Sequence, residues 1–327
     1  MFWDGKDDND KNKQYKLNRD GIIYALGRAL KDYTSRTNGK QPGDKEASVS
    51  NMIAALTAGA PDSFVDRLEK YFKDDPIASA KIFDNWHHNM CIQFCTAIQT
   101  AQIRTVVPYG KAQKIVNMTM KTIYCLEGAK EKNAKGYFTY CHMPLDSIIL
   151  EWFRRYVVRD WFNSINDGRI PLQYATEGGP LPKWSNLEFK EGSLSIEFDG
   201  YKDKSNQLLN DSKYHYMLFV QVIREYFKQP NQKNRYSGLT PLEGEFYIWQ
   251  ETQLELAAEA LYSLDIGKEQ AVQEAMKHWD LCWTKQEESN IDKQFKKCKR
   301  VFKTRDLKEK VEFLQTRIDE LCRYVNI

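Results

Sequence analysis

Two lysines and an asparagine interrupt a largely apolar stretch between Lys111 and Leu126. Lys114, Asn117 and Lys121 are spaced i, i+3 and i+7, which places them on one stripe of a helix. The remaining positions are apolar nearly all round, so the pattern predicts a buried, central helix. A lysine held in apolar surroundings loses hydration, and its amine becomes available as a nucleophile.

A carboxylate that would suit such an amine follows a lysine-rich loop. Asp146 stands behind Pro144 and Leu145 and opens a second helix. Both features also have structural interpretations. Lysines at the rim of a buried helix extend to the surface, and an Asp behind a proline is commonly a helix N-cap.

Residues 106–152 resemble the helix-hairpin-helix DNA glycosylases, most closely the archaeal 8-oxoguanine DNA glycosylase branch. Gly110, Lys114, Lys121 and the triplet Pro144-Leu145-Asp146 fall on positions that recur in this order in that family. The resemblance implies that Lys114 attacks the anomeric carbon of the sugar and forms a Schiff base after the base leaves. It implies that Asp146 stabilises the charge developing on the sugar. Lys121, on the same stripe, is the reserve nucleophile.

The glycosylase interpretation also assigns residues to DNA. The turn Pro108-Tyr109-Gly110 lacks the family's paired glycines, but with Lys111 it begins a helix whose N–H groups would face a phosphate. A flipped base would enter an aromatic pocket. Trp249 is the expected stacking wall, Glu245 would bind the base edge, and Trp152 is a further pocket residue. The alternative for Glu245 is interaction with its own helix dipole.

The composition indicates a soluble, cytoplasmic protein with a substantial core. The chain has 327 residues, 42% of them apolar, and a net charge of +3, so any nucleic-acid surface must come from local clustering. Seven cysteines without a CxxC pair fit a reducing compartment and exclude a secreted disulfide framework. We find no signal peptide and no apolar segment of membrane-spanning length, so we expect no membrane association.

Metal sites are not favoured by the sequence. Cys91 and Cys95 lie one helical turn apart near His87 and His88, which suggests zinc, but the intervening residues form an apolar face. Buried free thiols are therefore the preferred interpretation. The four-cysteine spacing of iron–sulfur glycosylases is absent, and we predict no metal and no cofactor.

Helical periodicity dominates the chain on both sides of the central stretch. Helices are predicted at about 19–33, 48–56, 62–72 with Asp62 as N-cap, 77–103, 111–126, 146–165, 214–227 and 242–264. Two alternating runs between Leu187 and Phe198 predict a β-hairpin. The fold class is therefore mostly α, a multi-helix globular fold of helix-hairpin-helix glycosylase type with one small β-hairpin insertion.

Four regions are expected along the chain. Residues 1–105 form an N-terminal helical region, and 106–170 contain the hairpin and catalytic helices. Residues 171–292 contain the hairpin insertion and further helices, and 293–327 form a basic stretch and a C-terminal heptad helix. In that last region, Leu307, Val311, Leu314, Ile318, Leu321 and Val325 form a seam that would dock on the body or mediate self-association.

Three functions compete. The first is a DNA glycosylase, with or without abasic-site lyase activity, acting on double-stranded DNA with a damaged or modified base. The second is a non-catalytic nucleic-acid-binding or phage-defence-associated helical protein. The third is a helical interaction protein that assembles through its C-terminal heptads. Borohydride trapping on abasic or base-modified DNA separates the first from the other two.

The basic stretch yields a prediction about DNA affinity. From Lys293 to Lys310 there are nine basic and two acidic residues, which suits phosphate contact, although a solvated face is an alternative. Charge reversal at Lys296, Lys297, Lys299 and Arg300 should weaken binding to all DNA sequences alike. The salt dependence should flatten by roughly one unit of slope for each phosphate that the protein no longer binds. Titrations at several salt concentrations measure both effects, and unchanged affinity and slope would assign the stretch to solvent.

Overall fold

A computed structural model of the chain describes residues 15–35, 44–59, 61–162, 183–189, 215–228, 236 and 238–264. Helices dominate these residues, and their strand-like pairings are two isolated bridges, Lys16 with Glu127 and Glu188 with His215. The predicted mostly α fold is confirmed for this part of the chain. The turn of the predicted hairpin, at 191–192, lies outside the described residues.

The helices begin and end near their predicted positions. In chain order they are α1 (Arg19–Ser35), α2 (Val49–Thr57), α3 (Phe64–Lys73), α4 (Ala80–Thr100), α5 (Tyr109–Tyr124), α6 (Ala129–Ala134), α7 (Ser147–Trp152), α8 (Tyr216–Lys228) and α9 (Pro241–Leu264). A π-helical segment, Phe153–Phe162, continues α7, and a 3₁₀ turn covers Trp184–Asn186. The short helix α6 occupies the expected lysine-rich loop. Within the described ranges, no helix has the length and apolar character needed to cross a membrane.

The chain divides into two compact units, each built from two separate stretches. The first comprises Met1–Leu145 and Trp184–Gly244, and the second comprises Asp146–Lys183 and Glu245–Ile327. The chain therefore passes between the two units after Leu145, Lys183 and Gly244, and the four regions expected along the chain stay a prediction. Helices α1 to α6 and α8 belong to the first unit, α7 belongs to the second, and α9 begins in the first.

Helix α5 is the central element of the first unit, as its apolar sequence predicted. It packs against α1 and α4. Ile115, Val116, Met120 and Ile123 are each at most 2% exposed. Burial on nearly every side means that the polar residues of α5 also lie in the interior, where each needs a hydrogen-bonding partner.

The start of α3 corrects one expected cap. Ser63, rather than Asp62, is the N-cap, because its hydroxyl accepts from the Asp66 backbone N–H at 3.2 Å. The Asp66 carboxylate in turn accepts from the Ser63 backbone N–H at 3.0 Å. This reciprocal capping box satisfies two helix-terminal donors, which Asp62 cannot do from one position earlier.

The start of α5 corrects the expected tight turn at Pro108-Tyr109-Gly110. Pro108 is the N-cap, with φ −63° and ψ 140°, and Tyr109 and Gly110 already belong to the helix. The Pro108 carbonyl accepts from the backbone N–H groups of Lys111 at 3.0 Å and Ala112 at 3.2 Å. The fixed φ of proline suits this position, so the segment enters the helix directly.

Gly110 permits a close approach that predicts opposite effects for two glycine substitutions. A Cβ at Gly110 would lie 2.2 Å from the Trp184 backbone oxygen, whereas a Cβ at Gly27 in α1 would meet Ile53 at an ordinary 3.4 Å. Gly110→Ala should therefore destabilise the protein by about 1–3 kcal/mol, as overpacking does. Gly27→Ala should be neutral or stabilising by up to about 1 kcal/mol. Urea denaturation measures both, and equal effects would contradict the close approach.

Candidate active site

The polar stripe of α5 is buried at two of its three positions. Lys114 is 5% exposed and Asn117 is 1% exposed, while Lys121 is half-buried. The Lys114 Nζ lies 5.0 Å from the centroid of the Trp184 ring, a cation–π contact. Lys114 therefore does not extend to the surface, and its amine lies against an aromatic ring.

Asn117 joins three other buried side chains. Its Oδ1 lies 2.8 Å from His87 Nε2, and its Nδ2 donates to Tyr216 Oη at 2.9 Å and to Gln113 Oε1 at 3.0 Å. Gln113 in turn donates to the backbone carbonyls of Gly110 and Leu145. One amide on α5 therefore links α4, α5 and α8.

The chain of contacts continues from Tyr216 to a buried ion pair. Tyr216 Oη lies 2.8 Å from His142 Nδ1, and His142 Nε2 lies 2.7 Å from Asp84 Oδ1. Arg224 donates to both oxygens of Asp84, at 2.9 and 2.7 Å. The bidentate guanidinium neutralises a carboxylate that is almost fully enclosed.

The hydrogen-bond directions follow from the chemistry of the acceptors. An ionised Asp84 only accepts, so His142 Nε2 donates to it, and the neutral ring accepts at Nδ1 from the Tyr216 hydroxyl. Tyr216 then accepts from Asn117, whose Oδ1 accepts from His87 Nε2–H. His87 Nδ1 is left to accept from the Cys91 thiol, whose Sγ lies 3.7 Å away. In each of these hydrogen bonds the acceptor is the partner nearer to Asp84 in the series. We call this set of side chains the buried relay; its members are Cys91, His87, Asn117, Tyr216, His142, Asp84 and Arg224.

Burial fixes the charge states within the buried relay. It lowers the pKa of His142 to about 4 and that of His87 well below its ordinary value. Burial alone would raise the pKa of Asp84, but the hydrogen bonds and charges of His142 and Arg224 together hold it below its usual value. The pKa of Tyr216 is raised well above normal, mainly by burial. Asp84 and Arg224 are therefore charged and the other members neutral. Because Tyr216 is fully buried, this set favours a structural role over direct chemistry.

The residues expected at a DNA phosphate lie at the first turn of α5. Tyr109 is hydrogen-bonded to Cys91, and burial raises its pKa well above the ordinary value. Its ring lies 5.6 Å from that of Tyr216. Gly110 faces the backbone of Trp184 and Ser185. Lys111 is half-buried, and its Nζ lies 5.5 Å from the Tyr33 ring centroid.

Asp146 and Trp249 contact each other in the second unit. Asp146 is the N-cap of α7, and its Oδ1 accepts from the backbone N–H groups of Ile148 at 3.0 Å and Ile149 at 3.1 Å. Its Oδ2 accepts from the indole N–H of Trp249 at 3.3 Å. Asp146 is half-buried, so the carboxylate is held by three N–H donors and keeps access to solvent. Lys114, by contrast, belongs to the first unit.

The other expected pocket residues are enclosed in the second unit. Trp152 is 1% exposed and Glu245 is 2% exposed. The buried Glu151, one residue before Trp152, accepts from Arg155 Nε at 2.7 Å and from Arg154 Nε at 3.1 Å.

Glu243, an acid in the first turn of α9, forms a capping box with Thr240 and accepts from Tyr124 at 2.8 Å. Glu243 therefore has a structural role.

Several sequence expectations fall outside the described residues. Lys296, Lys297, Lys299, Arg300 and the C-terminal heptads lie in the undescribed part.

The two cysteines near the histidines of α4 are free thiols. Cys91 is buried, and Cys95 donates to the Val107 carbonyl at 3.5 Å. Burial raises the pKa of both thiols, that of Cys95 to about 11. Within the described ranges, no group of three His, Cys, Asp or Glu side chains is arranged to hold a metal ion.

Sequence reasoning missed most of the buried relay. Asn117 was recognised as polar on a buried helix, and His87 was considered only as a zinc ligand. Asp84, His142 and Tyr216 gave no local signal beyond an apolar residue on at least one side. Their partners lie 30 to 140 positions away, so periodicity cannot identify them.

The neutral histidines predict a loss of stability in acid. The pKa of His142 falls from 6.5 to about 4 on folding, and that of His87 also falls. The unfolded state therefore binds more protons below about pH 6.5, and the free energy of unfolding should decrease as the pH falls toward 4. For His142 alone the decrease is on the order of 3 kcal/mol. Urea denaturation across this range measures it.

The matched variant for this experiment is His87→Gln. Glutamine can still donate to Asn117 but does not titrate, so the variant should lose less stability than the wild type over the same pH range. A wild-type free energy of unfolding that stays constant from about pH 7 to pH 5 would contradict neutral histidines in the buried relay.

No family model matches the chain, and neither a curated protein nor a solved structure matches it.

Proposed function

We propose that this protein is a DNA glycosylase that releases a damaged or modified base from double-stranded DNA. The observation that carries the proposal is the 3.3 Å hydrogen bond from the Trp249 indole to Asp146. The sequence singled out these residues separately, Asp146 as the catalytic carboxylate and Trp249 as the stacking wall. They are 103 positions apart in the chain and meet in one unit.

The carboxylate of Asp146 is suited to stabilising a sugar cation. Departure of a base leaves positive character at the anomeric carbon, and a fixed negative charge close by lowers that barrier. Two backbone N–H groups at the start of α7 bind Oδ1, and the helix dipole adds a favourable positive potential. These interactions exist before substrate arrives, so little reorganisation is required during the reaction.

Trp249 has two tasks in the proposal. Its N–H fixes the second carboxylate oxygen, and its half-buried ring offers a face on which an extruded base can stack. Glu245 lies four residues earlier on α9 and therefore on the same side of the helix. A carboxylate there can accept hydrogen bonds from the exocyclic amine or ring N–H of a base.

Lys114 supplies the amine in the proposed reaction. Its support is the resemblance of residues 106–152 to the glycosylases, together with its burial against Trp184. Attack of the amine on the anomeric carbon gives, after ring opening, an imine that borohydride reduces to a stable adduct. Lys121, half-buried on the same stripe, is the reserve amine.

Two observations favour a second candidate, a non-catalytic nucleic-acid-binding protein. Asp146 acts as the N-cap of α7, and the Lys114 amine contacts an aromatic ring. A protein of this kind would bind DNA without releasing a base. The two candidates therefore differ in base release rather than in affinity.

Replacement of Asp146 by Asn tests the proposed chemistry. Asn and Asp are about equally good N-caps, so the variant keeps α7 while removing the negative charge. We expect base release to fall by ~10²-fold or more, as when one preorganised electrostatic group is removed. Duplexes carrying 8-oxoguanine or a modified pyrimidine, cleaved at the resulting abasic site, provide the assay. Full activity in Asp146→Asn would show that the glycosylase interpretation is wrong.

Two further variants separate chemistry from folding. Trp249→Phe keeps an aromatic face but removes the N–H donor, so it should reduce base release less than Asp146→Asn does. Asp66→Asn changes a carboxylate in the capping box of α3 and should lower stability with base release retained. Base release that followed stability in all three variants would assign Asp146 to structure alone.

Borohydride trapping assigns the nucleophile. Lys114→Gln should abolish the covalent adduct, and base release persists if water attacks instead. An adduct that survives Lys114→Gln and disappears in Lys121→Gln reassigns the nucleophile to Lys121. An adduct that forms in both variants would place the nucleophile elsewhere in the chain.

A further inference from the structure

Arg104 is a buried cation with few acceptors. The loop that carries it leaves α4 through Gln102, a non-glycine residue in the left-handed region with φ 58°. Ile103 N–H then donates to the Ile98 carbonyl at 3.1 Å, which closes the end of α4. Arg104 is 8% exposed, its Nη1 donates to the Ile103 carbonyl at 2.6 Å, and its enclosed Nε has no acceptor among the described residues.

This arrangement is energetically costly. A guanidinium has five N–H donors, and burial of its charge is normally compensated by a carboxylate. Among the described residues, no acid lies within ion-pair distance of Arg104. Asp44 is nearby, but its Oδ1 accepts from the Thr105 hydroxyl at 3.0 Å. Arg104 therefore has more N–H donors than the surrounding described residues have acceptors for them.

Two more donors lie beside Arg104. Burial raises the pKa of Tyr33 to about 12, while the nearby charge of Arg104 acts in the opposite direction. Burial and the charge of Arg104 both lower the pKa of Lys111. The Lys111 Nζ also lies 5.5 Å from the Tyr33 ring centroid. In the part of the chain that the structure describes, no ion pair neutralises Lys111.

We propose that Arg104, Lys111 and Tyr33 form a binding site for a phosphate group. Arg104 lies close enough to act electrostatically on both Tyr33 and Lys111, and the Lys111 Nζ lies 5.5 Å from the Tyr33 ring centroid, so these donors together would bind an anion with several acceptor oxygens. A guanidinium binds a phosphate through paired N–H groups, and the ammonium and phenol can donate to its remaining oxygens. The ligand supplies the acceptors that Arg104 lacks.

The source of the phosphate is a DNA backbone phosphodiester, and this assignment rests on the proposed function. Binding of a phosphate group at this site does not depend on the proposed function. Lys111 lies in the first turn of α5, where backbone N–H groups add positive potential. Arg104 adds a second positive charge from the loop after α4, and Tyr33 adds a neutral hydroxyl donor from the end of α1. Inorganic phosphate as a free ligand is the alternative source.

Thermal denaturation at constant ionic strength tests the site with inorganic phosphate as the probe. A ligand that binds only the folded state raises the melting temperature in a saturable way. Replacement of chloride by phosphate should give a saturable rise in the melting temperature of the wild type and of the exposed-lysine control Lys45→Gln. Arg104→Gln and Lys111→Gln should show only the non-saturating rise that phosphate, as an excluded salt, gives to a folded protein. In chloride, Arg104→Gln should melt at or above the wild-type temperature, because it removes a poorly compensated buried charge.

DNA titration identifies the source. If a backbone phosphate occupies the site, Arg104→Gln lowers the salt dependence of DNA binding by roughly one unit of slope, and Lys45→Gln leaves it unchanged. Phosphate-dependent stabilisation with an unchanged slope would overturn the DNA assignment and retain the phosphate site. Wild-type protein that binds no DNA would overturn the proposed function. The thermal denaturation with inorganic phosphate would still show whether the phosphate site exists.

Absence of both effects would overturn the inference. The result would show that Arg104 is a structural cation and that neither phosphate source uses it. If Arg104→Gln does not fold, Lys111→Gln decides the question, because Lys111 is half-buried and contributes little to the core. Arg104→Lys, which keeps the charge but removes the paired donors, should bind phosphate more weakly than the wild type.

Discussion

The buried carboxylate of Asp84 is the constraint on which the first unit depends. At 4% exposure it requires a countercharge and a full set of donors, and Arg224 and His142 supply them. His142 is then committed to one tautomer, which commits Tyr216 and, through it, Asn117. Removing one partner from such a set leaves a buried charge or amide unsatisfied, which typically costs more than the missing bond alone. The buried relay therefore specifies how α4, α5 and α8 pack.

The same constraint explains why α5 carries polar residues in an apolar setting. Asn117 has four hydrogen-bonding positions, and a fully apolar helix would leave Tyr216 without a donor from α5. Gly110, about two turns earlier, lets the Trp184 backbone reach the helix. That approach brings the Trp184 ring over Lys114. Structural polarity and the candidate nucleophile thus occupy one helix, on which small changes in packing affect both.

The sequence was sufficient to predict the positions of the helices. It was insufficient to predict which side chains from different helices contact each other. Apolar spacing predicted α1, α4, α5 and α9 to within a few residues, because apolar residues recur at helical intervals along each segment. Asp62 and Ser63 are both favourable cap residues, and the spacing of Ser63 to Asp66 is the signal that identifies Ser63 as the cap. Pro108 was taken as a turn residue, since proline fits a turn and a helix start equally well. The hydrogen bond between Asp146 and Trp249 could be found only in the structure, because local sequence patterns carry no information about a contact between residues 103 positions apart.

The observed capping role of Asp146 and its proposed chemical role do not compete, because they use different atoms. Oδ1 caps α7 through two backbone N–H groups, whereas Oδ2 faces the Trp249 indole, and a carboxylate distributes its charge over both oxygens. Capping alone requires one acceptor oxygen, which Ser, Thr or Asn would supply as well. The capping role therefore does not by itself account for a negative charge at this position. The half-buried setting leaves that charge partly unscreened, and the proposed stabilisation of a sugar cation would use a charge that a neutral cap does not supply.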